Sequence, residues 1–114
     1  MMTPVFFYRT SLGKEAIREW LKSLSSSERK VLGSDLQLVQ LGWKEGLIGE
    51  PLVKSLKDGL FEIRISLPSR RTARMLFCIY EASIALLHGF IKKTQNTPID
   101  ALKLARKRQR SLKQ

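Results

Sequence analysis

The sequence predicts an α+β fold, with two N-terminal helices packed on an antiparallel sheet of four or five strands and a basic helix closing the chain. Three observations carry this. Apolar residues recur at helical spacing from Ala16 to Val39. Between Leu52 and Lys92 the pattern changes to short strand-like runs divided by turn residues. Thr97-Pro98 then opens a last helical segment rich in lysine and arginine. At 114 residues the chain is expected to be one domain, residues 1–114.

Each element follows from local signals. Val5 to Arg9 is apolar and aromatic and reads as a first strand, ended by Ser11-Leu12-Gly13. Ala16, Ile17, Trp20, Leu21 and Leu24 share one helical face, with Lys14, Arg18, Glu19 and Lys22 opposite. Ser25 and Glu28 have capping-box spacing for a second helix. That helix carries Val31, Leu32, Leu36 and Val39, and Gly42 is its expected C-cap.

Asp58-Gly59 is a hairpin turn signal between Leu52–Leu56 and Leu60–Ile65. In the second run Phe61, Ile63 and Ile65 alternate with Glu62, Arg64 and Ser66. Leu67 to Thr72 reads as a loop, Ala73 to Tyr80 as a strand, and Ile84 to Lys92 as its antiparallel neighbour. Thr97 is the expected cap of the last helix, with Pro98 in its first turn. That helix is expected to bury Ile99, Leu102 and Ala105 and to hold Lys103, Arg106, Lys107, Arg108 and Arg110 outside. With the helices on one face of the sheet, the other face stays open.

Charge narrows the partners. There are 21 Lys and Arg against 10 Asp and Glu, a net of +11. Up to Ile63 the signs nearly balance, whereas from Arg64 onward 12 basic residues stand against Glu81 and Asp100 alone. Such concentration points to a polyanion, with nucleic acid first, an acidic protein second and a membrane surface third. Cys78 is the single cysteine and reads as a small core residue. One His and one Cys make no metal-ligand set, so no metal and no cofactor are expected. MMTPVFFYRT has no basic segment before a long apolar stretch, and no window approaches a membrane span. A cytoplasmic setting with no membrane partner is the default expectation.

On the open face, Arg64, Arg74 and Lys92 are expected to converge beside Phe90, making a phosphate-sized cationic cluster next to a stacking surface. Each has a plainer reading. Glu62 can pair Arg64, Arg74 can mark a strand edge, Lys92-Lys93 can be a solubilising strand end, Phe90 can be core, and His88 reads as structural.

The blocks "LKDGLFEIRI", "TARMLFCIY", "IALLHGFIKKTQNTP" and "ALKLARKR" occur in that order. Together they resemble the Gp49/HigB branch of the RelE-like toxins of type II toxin–antitoxin systems, over residues 5 to 110. The resemblance implies a RelE-like fold. It also implies a metal-independent mRNA endoribonuclease, usually acting in the ribosomal A site. In that chemistry the ribose 2′-OH attacks the neighbouring phosphate and leaves a 2′,3′-cyclic phosphate and a 5′-OH. The family's motif residues fall on Arg64, Arg74, Phe90, Lys92 and Lys93.

By this resemblance Arg64 and Arg74 stabilise the phosphorane, and Lys92 or Lys93 acts as base or electrostatic helper. Phe90 orients a base, and Arg71, Arg106 and Arg110 grip RNA backbone. Tyr80 is a candidate proton donor. Ala73 departs from the family, where an aromatic often precedes the second arginine, as does the long Leu67–Thr72 loop. The resemblance further implies a helix-turn-helix, HigA-like antitoxin, with mRNA and the ribosome as targets. A ParE-like gyrase inhibitor and a plain RNA-binding domain are the alternatives.

Overall fold

The computed structural model describes residues 2–46, 48–49 and 51–113. Its elements run β1 (Val5–Phe7), α1 (Ala16–Lys22), α2 (Ser26–Gly42), β2 (Val53–Ser55), β3 (Leu60–Ser66), β4 (Thr72–Tyr80), β5 (Ser83–Ile91) and α3 (Ile99–Leu112). The α+β architecture agrees with the sequence. The sheet order is β1-β5-β4-β3-β2. Strands β2 to β5 are antiparallel neighbours, but β1 pairs with β5 in parallel, so the sheet is mixed. The reason is connectivity, because α1, α2 and the whole meander intervene between β1 and its partner.

Helix α2 starts with the capping box the sequence announced. Ser25 Oγ accepts from the Glu28 amide at 3.1 Å, and Glu28 Oε1 accepts from the Ser25 amide at 3.0 Å. The helix runs through Gly42, and Trp43 is its C-cap. Helices α1 and α2 cover one face of the sheet. There Ile17, Leu24, Leu32 and Val39 meet Ile63, Ile65, Met75, Phe77, Ile84 and Leu86. Trp43 packs edge-on against Phe61 and Phe77, closing that layer. Gly89 is required by this packing, since a β-carbon on it would lie 2.5 Å from the Trp20 ring.

The opposite face is only half open, which corrects the expectation. Helix α3 lies across it and buries Ala101 and Ala105 against Leu60, Leu76, Cys78, Ala85 and Leu87. The small side chains at Ala101 and Ala105, one turn apart, let the helix come close to the sheet. The buried stripe is therefore Ala101, Ala105 and Gln109, and Ile99 is 68% exposed.

Two arginines expected outside turn inward for the same reason. Arg106 donates to the carbonyls of Lys57 and Leu56 at 2.9 and 2.8 Å, and Gln109 donates to that of Asp58 at 3.0 Å. The β2–β3 turn holds Lys57 and Asp58 at positive φ and needs these donors. Arg108 donates to the Leu87 carbonyl at 2.6 Å and lies over the Tyr8 ring.

Leu87 marks a β-bulge. The β4–β5 register pairs Leu76 with His88 and Phe77 with Leu86, leaving Leu87 without a partner. The extra residue changes the facing of β5. Ile84 and Leu86 face the α1–α2 layer, whereas beyond the bulge His88 and Phe90 share the other face with Leu76 and Arg74.

Candidate nucleic-acid site

The uncovered half of the α3 face holds a row of residues set by ladder register. Arg64 lies directly opposite Arg74, and Arg74 directly opposite Phe90. The Lys92 amide donates to the Thr72 carbonyl at 2.7 Å, which carries the ladder one step past β5. Thr72 is two residues from Arg74, so register puts Lys92 on the same face. Lys93 follows in the exposed turn.

Like charges directly opposite each other repel. Glu62 relieves the pair. Its Oε1 accepts from Arg74 Nη1 at 2.6 Å and lies 3.6 Å from Arg64 Nε. The side chains of Glu62 and Arg74 are 1% and 9% exposed, and that of Arg64 is 31% exposed. Arg74 rather than Arg64 is thus the closer partner of Glu62. Thr97, expected as a helix cap, instead donates its hydroxyl to Glu62 Oε2 at 2.7 Å, and Pro98 takes the N-cap position. Thr97 is drawn off because a buried carboxylate needs donors on both oxygens. One carboxylate therefore orients two guanidiniums and ties down the lysine-bearing turn. Both Nε atoms, of Arg64 and Arg74, are buried without a hydrogen-bond partner among the described residues. Arg64, 31% exposed, carries the guanidinium of the pair that an anion reaching the row can meet.

Beside the row, His88 and Phe90 stack with centroids 5.6 Å apart and planes 27° from parallel. Burial, and then the positive charge of Arg108, push the His88 pKa down, which favours neutral imidazole. Phe90 is half-buried and packs against the α3-side cluster.

The remaining candidates scatter. Arg71 is held by Glu28, whose Oε2 accepts from Arg71 Nη2 at 2.7 Å and from Ser69 Oγ at 2.7 Å. Arg71 nonetheless lines one cleft with Arg70, Lys92 and Lys93. Tyr80 is not brought to the row. It ends β4 six residues from Arg74, about 20 Å along an extended strand, and packs against Phe6. Arg110 is exposed near the far end of α3, roughly 20 Å from Thr97 by helical rise. Arg106 is occupied by the turn carbonyls.

Sequence reasoning missed Glu62 as the centre of the cluster, Thr97 as its second donor, and the stack of His88 on Phe90. Glu62 left a signal, because it stands two residues before Arg64 on an alternating strand. His88 left one too, two residues before Phe90. Thr97 left none beyond its capping pattern.

No helix among the described residues is long and apolar enough to cross a membrane. No curated protein matches the chain in sequence. The family model described as phage-derived protein Gp49-like matches residues 19–110, from within α1 almost to the end of α3, and so spans Glu62, the arginine row and both lysines. The chain therefore belongs to the phage-derived Gp49-like family, a family of RelE/HigB-like toxins.

Proposed function

We propose that this chain is the toxin of a type II toxin–antitoxin pair and acts as a ribosome-dependent, metal-independent mRNA endoribonuclease. The observation that carries the reading is the register-aligned row Arg64, Arg74, Phe90 and Lys92, with Glu62 orienting both guanidiniums. In the reaction the ribose 2′-oxygen attacks the adjacent phosphorus and the bond to the 5′-oxygen breaks. The 2′-OH proton passes to a base and the 5′-oxygen gains one. The products are a 2′,3′-cyclic phosphate and a 5′-OH end.

Arg64 and Arg74 stabilise the charge that grows on the phosphorane. Lys92 or Lys93 serves the proton transfers or the electrostatics. Phe90, backed by His88, stacks on a base next to the scissile bond. The whole chain, residues 1–114, acts as one RelE-like domain in the cytoplasm. Its partner is a helix-turn-helix antitoxin of the HigA kind.

The test is induced expression followed by mapping of mRNA 5′ ends. New 5′-OH ends within coding regions, abolished in Arg64→Ala, are the expected outcome. Growth arrest with an SOS response and no new ends would instead assign the chain to inhibition of gyrase.

A further inference from the structure

A second cationic feature adjoins the row. The Leu67–Arg71 loop and the turn after β5 enclose a cleft of about 510 Å³. Arg70, Arg71, Lys92 and Lys93 line it together with the polar Thr72 and Gln95, and no carboxylate is among its lining residues. We propose that this cleft is a second phosphate subsite, taking the RNA phosphodiester next to the one held at Arg64 and Arg74. The proposal rests on the reading of the row as an RNA site.

Three observations support it. First, the cleft is continuous with the row. Lys92 belongs to the row by register and also lines the cleft. Thr72 lies two residues from Arg74, about 7 Å along the strand, a spacing of the order of that between successive phosphates. An extended RNA strand can therefore set one phosphate in each place.

Second, the cleft is pre-organised. The Glu28 carboxylate is 6% exposed and holds Arg71 through Nη2 and Nε while also accepting from Ser69. The Leu67 amide donates to the Arg71 carbonyl at 2.8 Å and the Arg70 amide to the Leu67 carbonyl at 3.2 Å. The loop is thus closed by its own backbone and latched to the start of α2. A solubilising run of cations needs no such latch.

Third, Arg70 sits at φ +63°, in the left-handed region that a branched-chain or long side chain adopts only when the loop imposes it. This conformation places Arg70 at the exposed tip of the loop, beside the cleft. Its guanidinium is free to close on an incoming phosphate, with no ion pair among the described residues to break.

The experiment measures binding of a 12-nucleotide 2′-O-methyl RNA, which has no free 2′-OH and is not cut, across a salt series from low ionic strength. Each phosphate contact on a single strand contributes about 0.7 to the slope of log affinity against log salt. Arg70→Ala is expected to lower the slope by about that amount, and Arg70→Lys to retain it. Lys14→Ala, which removes an exposed cation outside the cleft, is expected to retain it too. Circular dichroism verifies that each variant folds.

An unchanged slope in Arg70→Ala, an equal fall in Lys14→Ala, or no binding by the wild type would overturn the subsite. The nuclease reading is scored separately by 5′-end mapping. If the wild type makes no 5′-OH ends yet Arg70→Ala loses the slope, the subsite stands and the nuclease reading falls. If cleavage occurs and the slope is unmoved, the subsite alone falls.

Discussion

Arg74 donates a 2.6 Å hydrogen bond to Glu62 at a point where both side chains are withdrawn from water, 9% and 1% exposed. Such a pair is asymmetric in its energetics. Forming it costs desolvation of both charges, so it adds little net stability, but removing one partner strands the other. Arg74→Ala should therefore destabilise the fold by about 3–5 kcal/mol, measured by urea unfolding. The double variant Glu62→Gln/Arg74→Met, which removes both buried charges and leaves only the partly exposed Arg64, should recover most of that loss. If the single variant is as stable as wild type, Arg64 and Thr97 suffice to hold the Glu62 charge without Arg74.

Arg64 offers the cleaner test of chemistry. It is 31% exposed, and Glu62 keeps Arg74 when Arg64 is removed. Arg64→Ala is expected to lower RNA cleavage by roughly 10²–10³, the effect of deleting one charge-stabilising donor, while unfolding moves by less than about 1 kcal/mol. Cleavage near the wild-type rate in a folded Arg64→Ala protein would remove Arg64 from the reaction.

Glu28 sets an acid limit. Three donors to its carboxylate (the Ser25 amide, then Arg71 and Ser69) bring its pKa down from 4.5 to about 2. A carboxyl held lower in the folded state than in the unfolded one stabilises the fold above its unfolded pKa. That contribution is lost as pH falls from about 4.5 toward about 2. Glu28→Gln should be less stable than wild type at pH 7 and should show a flatter decline across that window. Chemical unfolding at a series of pH values reads both. Parallel curves would mean that Glu28 is not ion-paired in solution.

Gly89 sets a steric limit. A methyl group there would meet the Trp20 ring at 2.5 Å, so Gly89→Ala must shift either the helix or the strand. The expected cost is about 1–3 kcal/mol, accompanied by a change in tryptophan fluorescence. A reduction of Trp20 in the same chain, Gly89→Ala/Trp20→Leu, should recover part of it. An unaltered melting temperature and spectrum in Gly89→Ala would show that the ring has room to move.

The parts of the fold readable in the sequence are those fixed by neighbouring residues. The Ser25–Glu28 box, the Asp58-Gly59 turn and the alternation from Phe61 to Ile65 each depend on contacts within a few positions, and each appears where its pattern put it. What escaped depends on distant chain. The parallel pairing of β1 needs β5, about 80 residues away. The rotation of α3 is set by the sheet beneath it and by turn carbonyls that Arg106 and Gln109 must satisfy, so helical periodicity alone put Ile99 in the core. The candidate row is intermediate. Parity on β3 shows which way Arg64 faces, but the sinking of Glu62 between two arginines is a cross-strand event that no single strand displays.

In a regular strand the two ends are geometrically bound together, because fixing the facing at one end dictates it at the other. Leu87 uncouples them. Ile84 and Leu86 face the α1–α2 layer, whereas His88 and Phe90, at positions of the same parity, face the side of the arginines. Residues of one parity thus serve the helix layer before Leu87 and the arginine row after it. The bulge is also where the strand can lose a residue and keep its facing. Deleting Leu87 would close the bulge and leave His88 opposite Leu76 and Phe90 opposite Arg74, at the cost of one buried leucine in the cluster beneath α3.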